Sequence, residues 1–320
     1  MGTIENFPHF NPVDAEGEPT PTIIVSKVNA YDSRGMLKEV IPVHEVMPPK
    51  EKLKSLVPVV ITPGFTEGIK TLEGNLMQLA AYGRRSFTYD APTGIRDSRV
   101  KLEKIQEREF HEYELGKAAA LLEVIDGKKF EQVDAVGHSE GCIYLVMAAL
   151  ENPEKFRNLV LVNPGGMVGQ DNFYALIRRA YRHLQQEKKS AVDPEVRASI
   201  QKARSERVSN LIQNAKRFLP GPRAVACTQI EALLEELHNQ GIHIVIIHSV
   251  DDLVFPMDRV QQMTKGSYID GFYSVKGGHN GYILEPDTYA YLTDQVLTAL
   301  EAKAAKAIIS DLPEDKRLAA

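Results

Sequence analysis

Gly137-His138-Ser139-Glu140-Gly141 sets a serine on a five-residue turn between an apolar strand-like run and an apolar helix-like run. Upstream, Phe130 to Val136 reads as a short strand; downstream, Cys142 to Leu150 is rich in helix formers and stops at Asn152-Pro153. A turn that tight holds the serine backbone in an unfavourable region, and glycines two residues to either side allow strand and helix to approach closely. Strain of this kind lifts the hydroxyl above the sheet, which is the placement a nucleophile elbow needs. The pentapeptide alone is a weak signal; the strand before it and the helix after it give it weight.

A serine hydroxyl at neutral pH needs a base to take its proton and a carboxylate to orient that base. Gly241-Ile242-His243-Ile244-Val245-Ile246-Ile247-His248 is nearly continuous in β-branched residues, as expected of a parallel strand buried on both faces. It empties into Ser249-Val250-Asp251-Asp252-Leu253-Val254-Phe255-Pro256, and a carboxylate at a strand's carboxyl end points into the crevice of such a sheet. Tyr268 to Val275 reads as one more strand, followed by the glycine-rich loop Lys276-Gly277-Gly278-His279-Asn280-Gly281. The chain order is therefore Ser139, then Asp251 or Asp252, then His279. His138, His243 and His248 read as packed or hydrogen-bonded histidines.

From about residue 57 to residue 300 these motifs resemble the α/β-hydrolase superfamily. Pro63-Gly64-Phe65 resembles its oxyanion loop after the third strand, Tyr89 to Ser98 its loop after the fourth, and Asp252 with Pro256 its acid loop. The resemblance implies Ser139 as nucleophile, Asp252 rather than Asp251 as the triad acid and His279 as the base, with the backbone N–H groups of Phe65 and Glu140 as oxyanion donors. Two departures stand out: Pro63 occupies a position where many members carry histidine, and an acidic residue, Glu140, follows the serine. The Glu140 side chain reads as structural, because inside the site it would repel an oxyanion.

Residues 1–21 are proline-rich and polar and read as an irregular arm. Thr22 to Tyr31 and Leu37 to Val46 read as an antiparallel hairpin at the sheet edge. Alternating strands and helices follow: Val57 to Thr62, Leu72 to Tyr82, Arg85 to Tyr89, Phe110 to Ile125, the elbow, then Asn158 to Asn163. This order predicts an α/β fold with a mostly parallel central sheet, an N-terminal antiparallel hairpin and helices on both faces. Between Gly169 and Pro222 two helical patterns follow one another without a strand. Phe173, Tyr174, Ile177, Tyr181 and Leu184 stripe the first, and Asp193-Pro194-Glu195 opens the second, with Val196, Ile200, Ala203, Leu211, Ala215 and Leu219 behind it. The expected organisation is an α/β-hydrolase core of residues 22–169 and 224–320, with 170–223 inserted as a helical lid.

A chain of 320 residues that is 43% apolar and 25% charged has the composition of a globular enzyme. No stretch approaches the roughly eighteen apolar residues of a spanning helix, no secretory pattern opens the chain, and Asn6 spoils a myristoylation motif after Met1-Gly2; the expectation is a cytoplasmic protein. Cys142 and Cys227 are the two cysteines, so neither a disulfide framework nor a metal site is expected, and no cofactor fingerprint is present. The net charge of -5 conceals an uneven distribution: residues 170–223 carry twelve Lys or Arg against five Asp or Glu. Such a basic segment would attract anionic substrates or an anionic surface, or simply complement an acidic core. Nucleic acid is not an expected partner of an acidic chain without an aromatic-interleaved basic stripe, and nothing sets an oligomeric state. The expected activity is hydrolysis of a carboxylic ester in a small-molecule acyl substrate through an acyl-enzyme. The same residues could serve thioester, peptide, carbon–carbon or perhydrolysis chemistry, and a chain that only binds ligands is the alternative of another class.

Overall fold

The computed structural model describes residues 20–92, 98–106, 108, 110–169, 171–190, 220–266 and 268–311. Its strands are β1 (Thr22–Tyr31), β2 (Leu37–Met47), β3 (Ser55–Thr62), β4 (Arg84–Tyr89), β5 (Val133–His138), β6 (Phe156–Val162), β7 (His243–Ser249) and β8 (Gly271–Val275). Its helices are α1 (Ile69–Ala81), α2 (Glu103–Gln106), α3 (Glu112–Gly127), α4 (Gly141–Glu151), α5 (Phe173–Ser190), α6 (Pro220–Cys227), α7 (Glu231–Asn239), α8 (Met257–Met263), α9 (Gly281–Leu284) and α10 (Pro286–Asp311). The strands form one sheet in the order β1-β2-β4-β3-β5-β6-β7-β8. β1 with β2, and β2 with β4, run antiparallel; every other neighbouring pair is parallel. The hairpin turns where Asp32 accepts the amides of Arg34 (3.0 Å) and Met36 (2.8 Å), with Gly35 at φ 79 supplying the left-handed step.

Both faces of the parallel region are covered, which is why those strands read as unbroken apolar runs. Val60, Ala135, Leu159, Leu161, Ile244 and Ile246 enter the core beneath α3, α4 and α7. Their neighbours Val59, Ile61, Val136, Val160, Val162, Val245 and Ile247 enter a second core beneath α1 and α10. At the amino ends of the strands a buried ionic cluster fastens α10 to the sheet. The Arg84 guanidinium, fully buried, reaches Asp294 (2.8 Å), Glu301 (2.8 Å) and the Thr298 hydroxyl (2.8 Å), while Arg157 bridges Asp134 and Glu301. The carboxyl ends of the strands, opposite this cluster, carry the chemistry-bearing side chains.

The structure departs from the sequence reading in several places. β8 starts at Gly271 instead of Tyr268: Tyr268 turns aside to donate its hydroxyl to the Met263 carbonyl (2.7 Å), and the Asp270 carboxylate accepts the Ile244 amide (2.9 Å). The apolar stripe of α5 is phased differently. Tyr174, Ile177 and Tyr181 are 82%, 43% and 61% exposed, whereas Leu176 and His183 are buried and Phe173 and Ala180 pack against the core. Helix α6 runs across residue 223, so the expected boundary between insertion and core falls inside a helix. Residues 1–19 of the expected arm, the second insertion helix from Asp193 to Leu219 and the loop 93–97 lie outside the described residues.

Candidate active site

Ser139 follows the last residue of β5 and takes φ 55, a left-handed conformation that only a few per cent of non-glycine residues adopt. Three backbone bonds over-determine it. Its N–H donates to the Val162 carbonyl at the end of β6 (3.0 Å), and its own carbonyl accepts from Cys142 (3.2 Å) and Gly165 (3.0 Å). The flanking glycines are required sterically. A Cβ on Gly137 would lie 2.9 Å from the Cys142 Cα, and one on Gly141 would lie 2.4 Å from the Thr62 carbonyl oxygen. The elbow is thus pressed between α4 and the end of β3.

Side chains from three strand ends meet there. The Ser139 Oγ lies 2.9 Å from His279 Nε2, and His279 Nδ1 lies 2.7 Å from Asp252 Oδ2. All three residues are buried. The second Asp252 oxygen accepts the amides of Val254 (2.7 Å) and Phe255 (3.0 Å), so the carboxylate is oriented before any ligand arrives. Asp251 is exposed, and its amide donates to the Gly277 carbonyl (2.9 Å). Because Asp252 accepts at Nδ1, the His279 lone pair at Nε2 faces the serine hydroxyl. Burial lowers the His279 pKa, and the Asp252 carboxylate opposes that shift only in part. For Asp252 burial works upward, but the His279 ring holds the pKa below the usual carboxylate value. A neutral imidazole against an ionised carboxylate is the resting arrangement that proton abstraction requires.

Four residues unremarked in the sequence, or read there only as bystanders, brace this row. Asn163, at φ 45 just past β6, donates to the His279 carbonyl (2.9 Å) and accepts the Ser249 amide (2.7 Å). His138 Nε2 also donates to the His279 carbonyl (3.1 Å), while its Nδ1 is hydrogen-bonded to the Glu67 carboxylate (2.8 Å). Glu67 in turn accepts the Gly64 amide (2.7 Å) and so fixes the turn that holds Phe65. From α5, the buried His183 accepts the His279 amide at Nε2 (3.0 Å). The signals were faint: an Asn at a strand's carboxyl end, and a His183 that shares a helix face with Phe173, Leu176 and Ala180. His243 and His248 sit apart from the row, the first on Asp270 and the second donating to the Phe255 carbonyl.

Phe65 occupies the turn after β3, and Glu140 precedes the first turn of α4. These two segments touch: Thr62 Oγ1 donates to the Gly141 carbonyl (3.0 Å), and the Tyr144 hydroxyl of α4 donates to the Pro63 carbonyl (2.5 Å). The Glu140 carboxylate turns away from solvent and pairs with Lys117 of α3 at 2.7 Å. Among the described residues no group of three or more His, Cys, Asp or Glu is arranged to hold a metal ion, and no helix is long and apolar enough to cross a membrane.

Residues 57–190 match the family model of the alpha/beta hydrolase fold. Among solved structures, a meta-cleavage product hydrolase from Pseudomonas fluorescens superposes with a TM-score of 0.60 at 15% identity, covering 86% of this chain and 97% of its own. A 2-hydroxy-6-oxo-6-phenylhexa-2,4-dienoate hydrolase from Rhodococcus gives 0.59 at 14% identity, covering 86% and 99%. The enol-lactonase from Burkholderia xenovorans gives 0.58 at 13% identity, covering 81% and 97%. No curated protein sequence matches the chain. With its mostly parallel eight-stranded sheet, its antiparallel amino-terminal hairpin and the family match through the elbow, this chain has the α/β-hydrolase fold.

Proposed function

We propose that the protein is a serine hydrolase that cleaves a carboxylic ester, or a related acyl bond, of a small-molecule substrate through an acyl-enzyme. The observation that carries this reading is the hydrogen-bonded row Ser139–His279–Asp252, at 2.9 and 2.7 Å, in a buried site at the carboxyl ends of the strands. In this reading His279 Nε2 takes the proton of Ser139 Oγ as the hydroxyl attacks a carbonyl carbon. The amides of Phe65 and Glu140 bind the oxyanion, and His279 returns the proton to the leaving group. Water then attacks the acyl-enzyme by the same route and regenerates the serine. Asp252 keeps the ring in the tautomer that receives protons at Nε2 and stabilises the imidazolium. Residues 170–223 act as a lid over the acyl pocket, a role supported by the His183 bond from α5 to the His279 backbone.

A fluorophosphonate probe tests the nucleophile, and p-nitrophenyl esters of graded chain length alongside aminoacyl anilides test the bond. Labelling of the wild type and not of Ser139→Ala, with turnover of esters above anilides, is the expected result. An unlabelled wild type that hydrolyses none of the panel would reject the enzymatic reading.

A further inference from the structure

The elbow's acidic residue is buried with a partner that nothing in the reaction scheme above uses. Lys117 Nζ lies 2.7 Å from Glu140 Oε2, and both side chains are almost wholly buried. The same ammonium stands 4.5 Å above the Tyr113 ring and 5.4 Å above the Tyr144 ring. Tyr144 donates to the Pro63 carbonyl, two residues before Phe65. Tyr113 and Phe65 close together over Gly221 of α6, where a Cβ would meet Phe65 Cε2 at 2.9 Å and Tyr113 Oη at 3.0 Å. One cation on the first turns of α3 therefore touches Glu140 directly and reaches the Phe65 turn through two aromatic rings.

We propose that Lys117 is a positioning residue: its buried ammonium holds the Glu140 and Phe65 segments in register as a two-amide anion site and cancels the Glu140 carboxylate beside it. The inference rests on the acyl-enzyme reading above and deepens it. A carboxylate at the amino end of α4 would oppose an oxyanion forming within the same turn, so the acidic residue after the serine is tolerable only when neutralised. Among the described residues the second Glu140 oxygen has no hydrogen-bond partner, which leaves Lys117 as the group that compensates its charge. Burial works against the Lys117 ammonium, yet the Glu140 carboxylate more than restores it, and its pKa stands above the ordinary lysine value. Two other buried carboxyls lie nearby: Glu67 is engaged by His138 and the Gly64 amide, and burial raises the Glu114 pKa to about 8 while Thr228 donates to it at 2.7 Å.

The test compares Lys117→Met, Lys117→Met/Glu140→Gln and Tyr144→Phe with wild type by ester kinetics, thermal unfolding and affinity for a boronic acid that forms a tetrahedral adduct on the serine. Lys117→Met should lose about 10²-fold in kcat, the scale of one oxyanion donor, with KM changed only a few-fold and boronate affinity falling in parallel. The double variant, which removes the stranded charge, should regain at least about tenfold of that loss, and Tyr144→Phe should lose several-fold in kcat. Lys117→Met turning over within about threefold of wild type would overturn the proposal, as would a double variant with no recovery although it folds. Should Lys117→Met not fold, a Tyr144→Phe variant with unchanged kcat and boronate affinity would overturn it. Wild-type enzyme inert towards probe and esters alike would instead sink the acyl-enzyme reading itself.

Discussion

At the scale of single residues, the proposed reaction depends on which proton sits where. His279 accepts a proton only when neutral, and burial lowers its pKa. The kcat/KM profile should therefore rise with pH and level off, with its midpoint below the ordinary imidazole value of about 6.5; a midpoint above that value would contradict the assignment of His279 as base. Asp252 is buried on the ring, whereas Asp251 faces solvent. Asp252→Asn should cost on the order of 10⁴ in kcat, and Asp251→Asn should cost little, with ester hydrolysis as the readout. Equal losses would refute the choice between the two. Ser139, Asp252 and His279 were legible because hydroxyl, imidazole and carboxylate are the few groups this chemistry can use, and a strand end marks each. Asn163, Glu67 and Lys117 were not, because they work by holding other groups, and a hydrogen bond to a backbone atom can come from almost any polar side chain.

At the scale of elements, strands were easier to find than the phase of an exposed helix. β3, β5, β6 and β7 are buried on both faces, and their β-branched runs announce themselves whichever residue points where. On α5 the aromatic residues drew the apolar stripe towards Tyr174 and Tyr181, yet the docked face is the one carrying Leu176 and His183. Tyrosine is amphipathic enough to stand in water, so its spacing is a poor guide to which side of a helix is covered. The corrected phase has a consequence for the site, because His183 is the hydrogen bond between α5 and the His279 loop. His183→Ala should lower kcat by about two- to tenfold, the worth of one ordinary hydrogen bond, while Tyr181→Ala on the outer face should change it little. Steady-state ester kinetics on the two variants would settle whether α5 braces the loop.

At the scale of the whole molecule, the two ends of the sheet do different work. The amino ends are fastened to α10 through Arg84, Asp294, Glu301 and Arg157; the carboxyl ends hold the polar row. Arg84→Ala would take the buried guanidinium from Asp294, Glu301 and Thr298 and leave Asp294 to the half-exposed Lys54 (2.7 Å); the expected cost is about 2–3 kcal/mol of stability, measured by denaturant unfolding, with kcat unchanged below the new transition. A matching fall in kcat at temperatures where the variant is fully folded would show the two ends to be coupled.

Ser139 and His279 stand 140 positions apart along the polypeptide, and α4, β6, α5, α6, α7, β7, α8 and β8 all intervene. On the ribosome the hydroxyl emerges long before the imidazole that would arm it. Until the last strand has zipped onto β7, a nascent or clipped polypeptide carries an elbow with nothing to deprotonate it. The proposed hydrolytic activity is therefore withheld from partly made copies and reports on completed assembly.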